Sequence, residues 1–510
     1  MARPINIKLD DEAATLRLAG VLAGQVAVGD LLALRGDLGV GKTALVRGLI
    51  QHLTDFAQIV PSPTFTLVQP YDTRRGALLH ADLYRLGASE EVLQLGLVEA
   101  LADHICCVEW PENAGDFLPE PTFDIALELA ANGQRTARIT ATAERTAPLA
   151  KALARADALD KFIAQSGWGE AVRVPLAGDA STRRYERLQL ENTTAVLMDW
   201  PAAPDGEAAP DGQATPNEET LYDGQSYSQI AHLAEAAPAY CRVSRWLAAH
   251  DIAVPHLLAA DEAAGFILLE DCGDETLATQ NASTRAVIYF EAVNILLALH
   301  QHQAAEFLPL YDGAVQAVEA GLFTDWFLAW RGINIDAAAR LAWQDLWDRL
   351  GDDLMPKNPV TVLRDFHSPN LLWRAARQGR YRLVAIDVQD ALAGSPAYDM
   401  ASLIYDARLD VPPAQQQAML THYMKARFAG DKKAATKFAG DVELAAAQRN
   451  FKIAGIFCRL AMRDNKPAYL CHLPRLCRTL KQNLNHKTLA PVRAWLAAHA
   501  PEALEINDAS

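Results

Sequence analysis

Gly36, Gly41, Lys42 and Thr43 stand in the spacing G-x-x-x-x-G-K-[ST], between an apolar run at Leu31–Arg35 and a stretch, Lys42–Leu53, in which Leu45, Leu49 and Leu53 recur every four residues. A strand that enters a glycine-rich turn and leaves as a helix can curl its N–H groups around an anion and aim the positive end of the helix dipole at it. Asp37, Leu38, Gly39, Val40 and Gly41 would supply that cradle, Lys42 would reach the outer phosphates, and the Thr43 hydroxyl would be placed on Mg2+. Three further groups follow. Ser62-Pro63-Thr64-Phe65 is a Pro-bracketed turn whose Thr64 hydroxyl could sense a γ-phosphate. His80 and Asp82 share one strand face by the period of two. Cys106-Cys107-Val108-Glu109-Trp110-Pro111 is an apolar strand ending in a carboxylate, where Mg2+ or a water-positioning group is wanted. Read singly, each is also ordinary structure: a turn, a strand end, a buried Trp.

A second constellation lies far downstream. Leu363-Arg364-Asp365-Phe366-His367-Ser368-Pro369-Asn370 places Asp and Asn five apart, ahead of an expected strand Leu371–Trp373 and a further strand, Tyr381–Ile386, that runs into Asp387. Asp-x-x-x-x-Asn alone carries no information, since chance supplies about one in a chain of this size. In this context, two strands bring Asp365, Asn370 and Asp387 to one edge. Phosphoryl transfer needs such a set: Asp365 to orient a hydroxyl and accept its proton, Asn370 and Asp387 to hold Mg2+ against ATP phosphates. Gly178-Asp-Ala-Ser181-Thr182-Arg183-Arg184-Tyr185 lies between two expected strands like a nucleotide-covering loop, and Ile267-Leu-Leu-Glu270-Asp271-Cys272-Gly273 ends in a hinge-like turn suited to adenine. Asp399, at the start of a helix, reads as structural.

The elements that must position these residues divide unevenly. With 510 residues the chain exceeds one ordinary core. In the first part, strands are expected at Ile5–Leu9, Leu31–Arg35, Phe65–Gln69, Ala77–Ala81 and His104–Glu109, with a closing hairpin Thr122–Leu129/Thr136–Thr142 around Asn132-Gly133. Helices at Glu12–Ala23 and Lys42–Leu53 alternate with them, which predicts an α/β P-loop domain over 1–142. Residues 143–158 read as an Ala-rich linker. A strand-rich patch (Ala171–Leu176, Tyr185–Leu190, Ala195–Asp199) then precedes a largely helical remainder, predicting a two-lobed, protein-kinase-like α+β domain over 159–500. Within it, 201–220 holds four Pro and five acidic residues without a base and reads as a flexible acidic insertion.

Composition excludes several classes. Half the residues are hydrophobic and 22% charged, as in a folded soluble domain. The net charge of −16 argues against indiscriminate nucleic-acid binding, although Lys425–Arg493 carries fifteen Lys and Arg against four acids. That segment reads either as a solvated helical face or as a surface steering anionic ligands. Seven scattered cysteines without a Cys-x-x-Cys pair make no disulfide framework or zinc ribbon. The first residues lack an apolar signal core, and the candidate helix Ala286–Leu299 is short and contains Glu291. A cytoplasmic protein without membrane association is expected.

The ordered motifs resemble two families. Gly-Asp-Leu-Gly-Val-Gly-Lys-Thr, Ser-Pro-Thr-Phe, His-Ala-Asp-Leu-Tyr-Arg-Leu and Glu-Trp-Pro-Glu over about residues 1–142 resemble the TsaE family, the small ATPase of bacterial tRNA threonylcarbamoyladenosine synthesis. The resemblance implies ATP on Gly36–Thr43, Mg2+ on Thr43 and Glu109, Thr64 in a switch, Asp82 in hydrolysis and Trp110 beside the nucleotide. It also implies partner proteins, the threonylcarbamoyl-transferring subunits, through which tRNA is reached only indirectly.

The Gly-Asp-Ala-Ser-x-Arg-Arg-Tyr and Leu-Arg-Asp-Phe-His-x-x-Asn-Leu wording over about residues 155–495 resembles the aminoglycoside phosphotransferase-type family. Within it, the anomeric kinases of N-acetylmuramate and N-acetylglucosamine are most alike, which implies an amino-sugar substrate and a role in cell-wall recycling. The chain departs from the commoner pattern at Leu363, where His is usual, and in a nucleotide loop with one glycine. The strand Ala195–Asp199, where a phosphate-binding lysine is expected, has none. Arg183 or Arg184 would have to carry that charge. Two other readings stand beside this one. The second domain could be a degenerate kinase fold that scaffolds the tRNA-modification assembly, or it could phosphorylate another small molecule with the P-loop domain as regulator.

Overall fold

In the computed structural model, residues 4–54, 58–130, 134–176, 183–201 and 225–506 are described. Asn132-Gly133, Ser181 and nearly all of the acidic stretch 201–220 lie outside them. The chain forms two units, Met1–Glu170 and Ala171–Ser510.

The first unit is built on a seven-stranded sheet of β1 (Ile5–Leu9), β2 (Leu31–Arg35), β3 (Val68–Thr73), β4 (Gly76–Asp82), β5 (His104–Glu109), β6 (Phe123–Leu129) and β7 (Arg135–Ala141), in the order β1-β7-β6-β2-β5-β4-β3. Its centre is parallel: β2 runs alongside both β5 and β6, and β5 alongside β4. The central strands are therefore apolar throughout rather than alternating, as Leu31–Leu34 and Ile105–Val108 are. Asp11 caps the helix Glu12–Ala23 through its carboxylate and the Ala14 N–H, at 2.6 Å. Leu45, Leu49 and Leu53 of the helix Lys42–Leu53 are buried, as their spacing predicts.

Two expectations shift here. The strand predicted at Phe65–Gln69 begins only at Val68, because the Leu67 N–H closes a turn onto the Pro63 carbonyl at 2.7 Å and leaves Phe65 exposed. The stretch read as a linker, 143–158, is the larger part of a helix, Ala143–Gln165, whose Leu149 is buried in the core of the first unit. An Ala-rich sequence is a good helix former, and the apolar side chains at Leu149 and Leu153 give it a face to pack.

The second unit opens with an antiparallel sheet of β8 (Val172–Leu176), β9 (Arg184–Leu190), β10 (Thr193–Asp199), β11 (Leu257–Asp261) and β12 (Phe266–Glu270), ordered β11-β12-β10-β9-β8. β11 had no clear signal in the sequence. The helical part follows, and inside it lie two short ribbons: β13 (Val360–Val362) with β16 (Leu392–Gly394), and β14 (Leu371–Trp373) with β15 (Leu383–Ala385). The strand expected at Tyr381–Ile386 is thus only three residues long, since 379–382 form a helical turn. The helix Ala282–Leu299, with mean hydropathy 1.4, has the length and apolarity to cross a membrane by composition. Its Ile288, Tyr289, Ala292, Val293, Leu296 and Leu299 are buried in the second core.

The segment Lys425–Arg493 does not form one basic face. Arg449 and Lys452, on the helix Lys432–Met462, are buried, while Lys437, Arg475 and Lys481 pair with Asp441, Asp410 and Glu505.

The helix over the linker stretch is directly testable. Leu149→Ala should destabilise the first unit by about 2–5 kcal/mol, read as a lowered urea midpoint in unfolding of the full chain. A midpoint equal to wild type would return 143–158 to the status of a linker.

Candidate active sites

The phosphate loop occupies the gap between the end of β2 and the helix Lys42–Leu53. Gly36, Gly39 and Gly41 all have positive φ, at 129°, 79° and 116°. Gly36 has a second reason to lack a side chain: a Cβ there would sit 2.2 Å from the Leu127 carbonyl oxygen. The loop mouth opens into a cavity of about 310 Å³ lined by Gly39, Lys42, Thr43, Thr64, Asp82, Tyr84, Glu109 and Trp110, among others. The parallel register that aligns Asp82 with Glu109 brings both carboxylates to the same sheet edge. The expected groups of the first unit therefore converge.

Their contacts are specific. The Thr43 hydroxyl donates to Glu109 Oε2 at 2.9 Å, and His80 Nε2 lies 2.9 Å from Glu109 Oε1. The Thr64 hydroxyl donates to Asp82 Oδ2 at 2.8 Å and lies 2.7 Å from the Ser62 hydroxyl. Lys42 Nζ donates to the carbonyls of Gly36 and Asp37, at 2.6 and 3.0 Å, and sits 3.7 Å above the Trp110 ring. Burial lowers the Lys42 pKa against the opposing pull of Glu109 and its acidic neighbours. A lysine held only by carbonyls and a ring face is available to a more strongly charged partner such as a phosphate. Trp110 itself has φ of 57° and its ring lies 5.0 Å from that of Tyr84, tilted by 46°. Asp37 and Leu38 are exposed on the loop, and Val40 is buried beneath it.

In the second unit, Asp365 follows β13 and Asn370 precedes β14. The β14–β15 ribbon, with the Ile386 N–H donating to the Asn370 carbonyl at 3.0 Å, sets Asn370 and Asp387 at one end. Asn370 Nδ2 donates to the Asp365 carbonyl at 3.1 Å. The backbone is unusual at two points, Arg364 with φ of 66° and Asp387 with φ of 60°. Asp399 explains the first. Its fully buried carboxylate accepts from the N–H groups of Leu363 at 2.8 Å and Arg364 at 3.0 Å, a structural role as expected.

Residues unread in the sequence hold this site. Arg449 Nη1 donates to the Arg364 carbonyl at 2.8 Å and to Asp365 Oδ1 at 3.3 Å. Behind it, Glu319 receives Arg364, Lys452 Nζ at 2.8 Å and the Tyr311 hydroxyl at 2.5 Å. Burial alone would raise the Glu319 pKa, but Lys452 and Arg364 outweigh it and hold Glu319 down at about 2. Desolvation would likewise raise Asp365, yet Arg449, with His367, Lys452 and Arg364 behind, keeps it well below the usual carboxylate range. Its side chain retains 36% of its surface and is not enclosed. Only the density of Lys and Arg in 425–493 hinted at these partners.

The nucleotide groups of the second unit fall into place unevenly. Arg183 Nη1 lies 2.8 Å from Asp387 Oδ1, which Gln389 Nε2 also reaches at 2.9 Å. Arg184 is exposed on β9, in register with Asp199. Of the two candidate replacements for the missing lysine, Arg183 is therefore the one beside the Asp365/Asn370/Asp387 set. Ser181 lies outside the described residues. The Glu270 carboxylate is engaged by Arg374 at 2.7 Å and its N–H donates to the His256 carbonyl at 2.8 Å, and Cys272 is buried against Ala253, Leu372 and Val384.

Both sites offer hard oxygen donors for Mg2+: a hydroxyl with a carboxylate at Thr43 and Glu109, an amide with a carboxylate at Asn370 and Asp387. Among the described residues no cluster of three or more His, Cys, Asp or Glu forms a closed metal cage.

Fold and site define two classes of nucleotide-using unit in one chain, a P-loop ATPase and a protein-kinase-like phosphotransferase. Residues 9–138 match the family described as threonylcarbamoyl adenosine biosynthesis protein TsaE, and residues 172–434 match the phosphotransferase enzyme family. Over 352 residues the chain is 34% identical to an N-acetylmuramate/N-acetylglucosamine kinase of Caulobacter vibrioides, covering 67% of this chain and 95% of that protein. A kinase of the same name from Pseudomonas aeruginosa is 31% identical, covering 68% and 94%. Over 132 residues the chain is 37% identical to the tRNA threonylcarbamoyladenosine biosynthesis protein TsaE of Rickettsia bellii, covering 26% of this chain and 92% of that one. The chain belongs to the TsaE family through its first unit and to the phosphotransferase family of amino-sugar kinases through its second.

His367 supplies a pH prediction. Burial, helped by Arg449 and Arg408 against Asp406 and Asp365, pushes its pKa down to about 4. Between that value and the ordinary value of 6.5 the folded chain binds fewer protons than the unfolded one. Its contribution is complete above 6.5 and is lost as pH falls through that window. Unfolding midpoints measured from pH 7 to pH 4 should fall less steeply in His367→Gln than in wild type.

Proposed function

We propose that the chain carries two ATP-dependent activities: an ATPase that serves threonylcarbamoyl modification of tRNA adenosine, and a kinase that phosphorylates the anomeric hydroxyl of N-acetylmuramate and N-acetylglucosamine. The kinase half rests chiefly on one observation, the Asp365/Asn370/Asp387 set beside an arginine that holds Asp365 ionised. In this reading the acceptor hydroxyl donates a hydrogen bond to Asp365 and attacks the γ-phosphorus of ATP in line. The new O–P bond forms as the bond to ADP breaks, and the hydroxyl proton passes to Asp365. A carboxylate of such low basicity orients the hydroxyl first and takes the proton late, as suits a loose transition state with little demand for an activated nucleophile. Asn370 and Asp387 would hold Mg2+, which neutralises phosphate charge when bound, while Arg183 supplies the fixed cation that the lysine-less strand lacks. Adenine would lie against the backbone of Glu270 to Cys272, with Ser181 contributed by the segment ahead of β9 and Arg184 by the start of that strand.

In the first unit ATP would rest on the backbone from Asp37 to Gly41 with Lys42 on its outer phosphates. Thr43 and Glu109 would hold Mg2+, Trp110 would pack by the nucleotide, and Thr64 and Asp82, already hydrogen-bonded, would couple the γ-phosphate to hydrolysis. Partner subunits that transfer the threonylcarbamoyl group complete that reaction, and tRNA is met through them. The scaffold reading loses one of its supports, because two of the basic residues in 425–493 serve the candidate site instead of an outer surface.

A crossed experiment tests the assignment. In the full chain, Asp365→Asn should lower ATP-dependent sugar phosphorylation by about 10²–10⁴-fold and leave the partner-stimulated ATPase intact. Lys42→Ala should do the reverse. Sugar phosphate at wild-type rate from Asp365→Asn, or no sugar phosphate from wild type, would reject the kinase half.

A further inference from the structure

Arg408 is a half-buried guanidinium beside the kinase site, and among the described residues no carboxylate makes an ion pair with it. The nearby acids are otherwise engaged. Asp406 Oδ2 accepts from the Ser368 N–H and its Oδ1 from the backbone N–H of Arg408 itself, each at 2.8 Å. Asp410 is held by Arg475 at 2.8 and 3.1 Å. Arg408 is flanked instead by the Phe457 ring and by His367. With Arg475 it also helps burial to depress the pKa of His472, against the pull of Asp406. A half-buried cation that no carboxylate pairs with directly costs free energy that an incoming anion would recover.

Its distance from the reacting centre is bounded. Arg408 Nη1 is 3.4 Å from His367 Nε2, and the same nitrogen is 3.7 Å from Asp365 Oδ1. The guanidinium thus stands no more than about 7 Å from the oxygen that would hold the acceptor hydroxyl. That is the reach of a single pyranose ring with a substituent.

We propose that Arg408 is a specificity-determining residue that pairs with a carboxylate on the acceptor sugar. This inference rests on the kinase reading above. It distinguishes the two sugars by chemistry: N-acetylmuramate carries a carboxylate on its lactyl ether, and N-acetylglucosamine has a hydroxyl at that position. Arg408 then favours the acidic sugar by a charge-assisted hydrogen bond and contributes little to the neutral one.

The test is the ratio of kcat/KM for N-acetylmuramate to that for N-acetylglucosamine in the full chain. Arg408→Gln should lower this ratio roughly tenfold to a hundredfold, the worth of a hydrogen bond to a charged group. Arg408→Glu should lower it further, and Arg408→Lys should restore much of it. The loss should appear mainly in KM, since the contact is made in ground and transition states alike. A role confined to packing would lower both sugars together and leave the ratio within twofold of wild type, and that result in both Arg408→Gln and Arg408→Glu overturns the inference while leaving the kinase reading intact. A wild-type chain that phosphorylates neither sugar overturns both.

Discussion

The second unit depends on keeping a set of buried charges paired. Glu319, fully enclosed, receives Arg364, Lys452 and the Tyr311 hydroxyl, and Gln448 approaches it at 3.2 Å. Removing ions from water is expensive, and a lone charge in this place would be untenable. Satisfied by three polar partners and a glutamine, the cluster ties the helix Gly313–Leu322 to the loop that carries Asp365 and to the helix Lys432–Met462. The neighbouring guanidinium of Arg449 then reaches past this cluster to Asp365. The position of the Asp365 carboxylate and the lowering of its pKa follow from one electrostatic arrangement.

The first unit meets a similar chemical demand by different means. Its anion site is made of backbone, and the constraint is steric: three glycines with positive φ, one of them pressed against the Leu127 carbonyl. Its polar side chains are tied to neighbours, as Lys42 is to two carbonyls and Thr43 is to Glu109. In the kinase-like unit the ionic cluster holds the loop of Asp365, and Arg183, just ahead of β9, lies 2.8 Å from Asp387.

Much of this was legible from residue order because the relevant constraints are local. A phosphate loop is a contiguous run whose glycines, lysine and threonine have meaning through spacing, and the strands and helices flanking it fell within a residue or two of their expected bounds. Asp365, Asn370 and Asp387 were likewise readable because two short strands separate them. The failures have local causes as well. β13 and β16, of three residues each, are too short for a period to emerge, and an Ala-rich stretch with mixed charges looks the same whether it is a linker or a helix with one buried stripe.

The chain's sequence by itself determined the two nucleotide-binding chemistries, since backbone freedom at Gly36 and the identity of each reacting side chain are properties of single positions and their neighbours. The tertiary structure alone decided which charges serve them. Arg449 lies 84 residues from Asp365, and Lys452 lies 133 from Glu319. Between Arg183 and Arg184, adjacent in sequence, only the strand's path turns one toward Asp387. A lysine or arginine on a helix carries the same charge whether it meets water or a buried carboxylate, and the difference is made by which segments the core brings into contact.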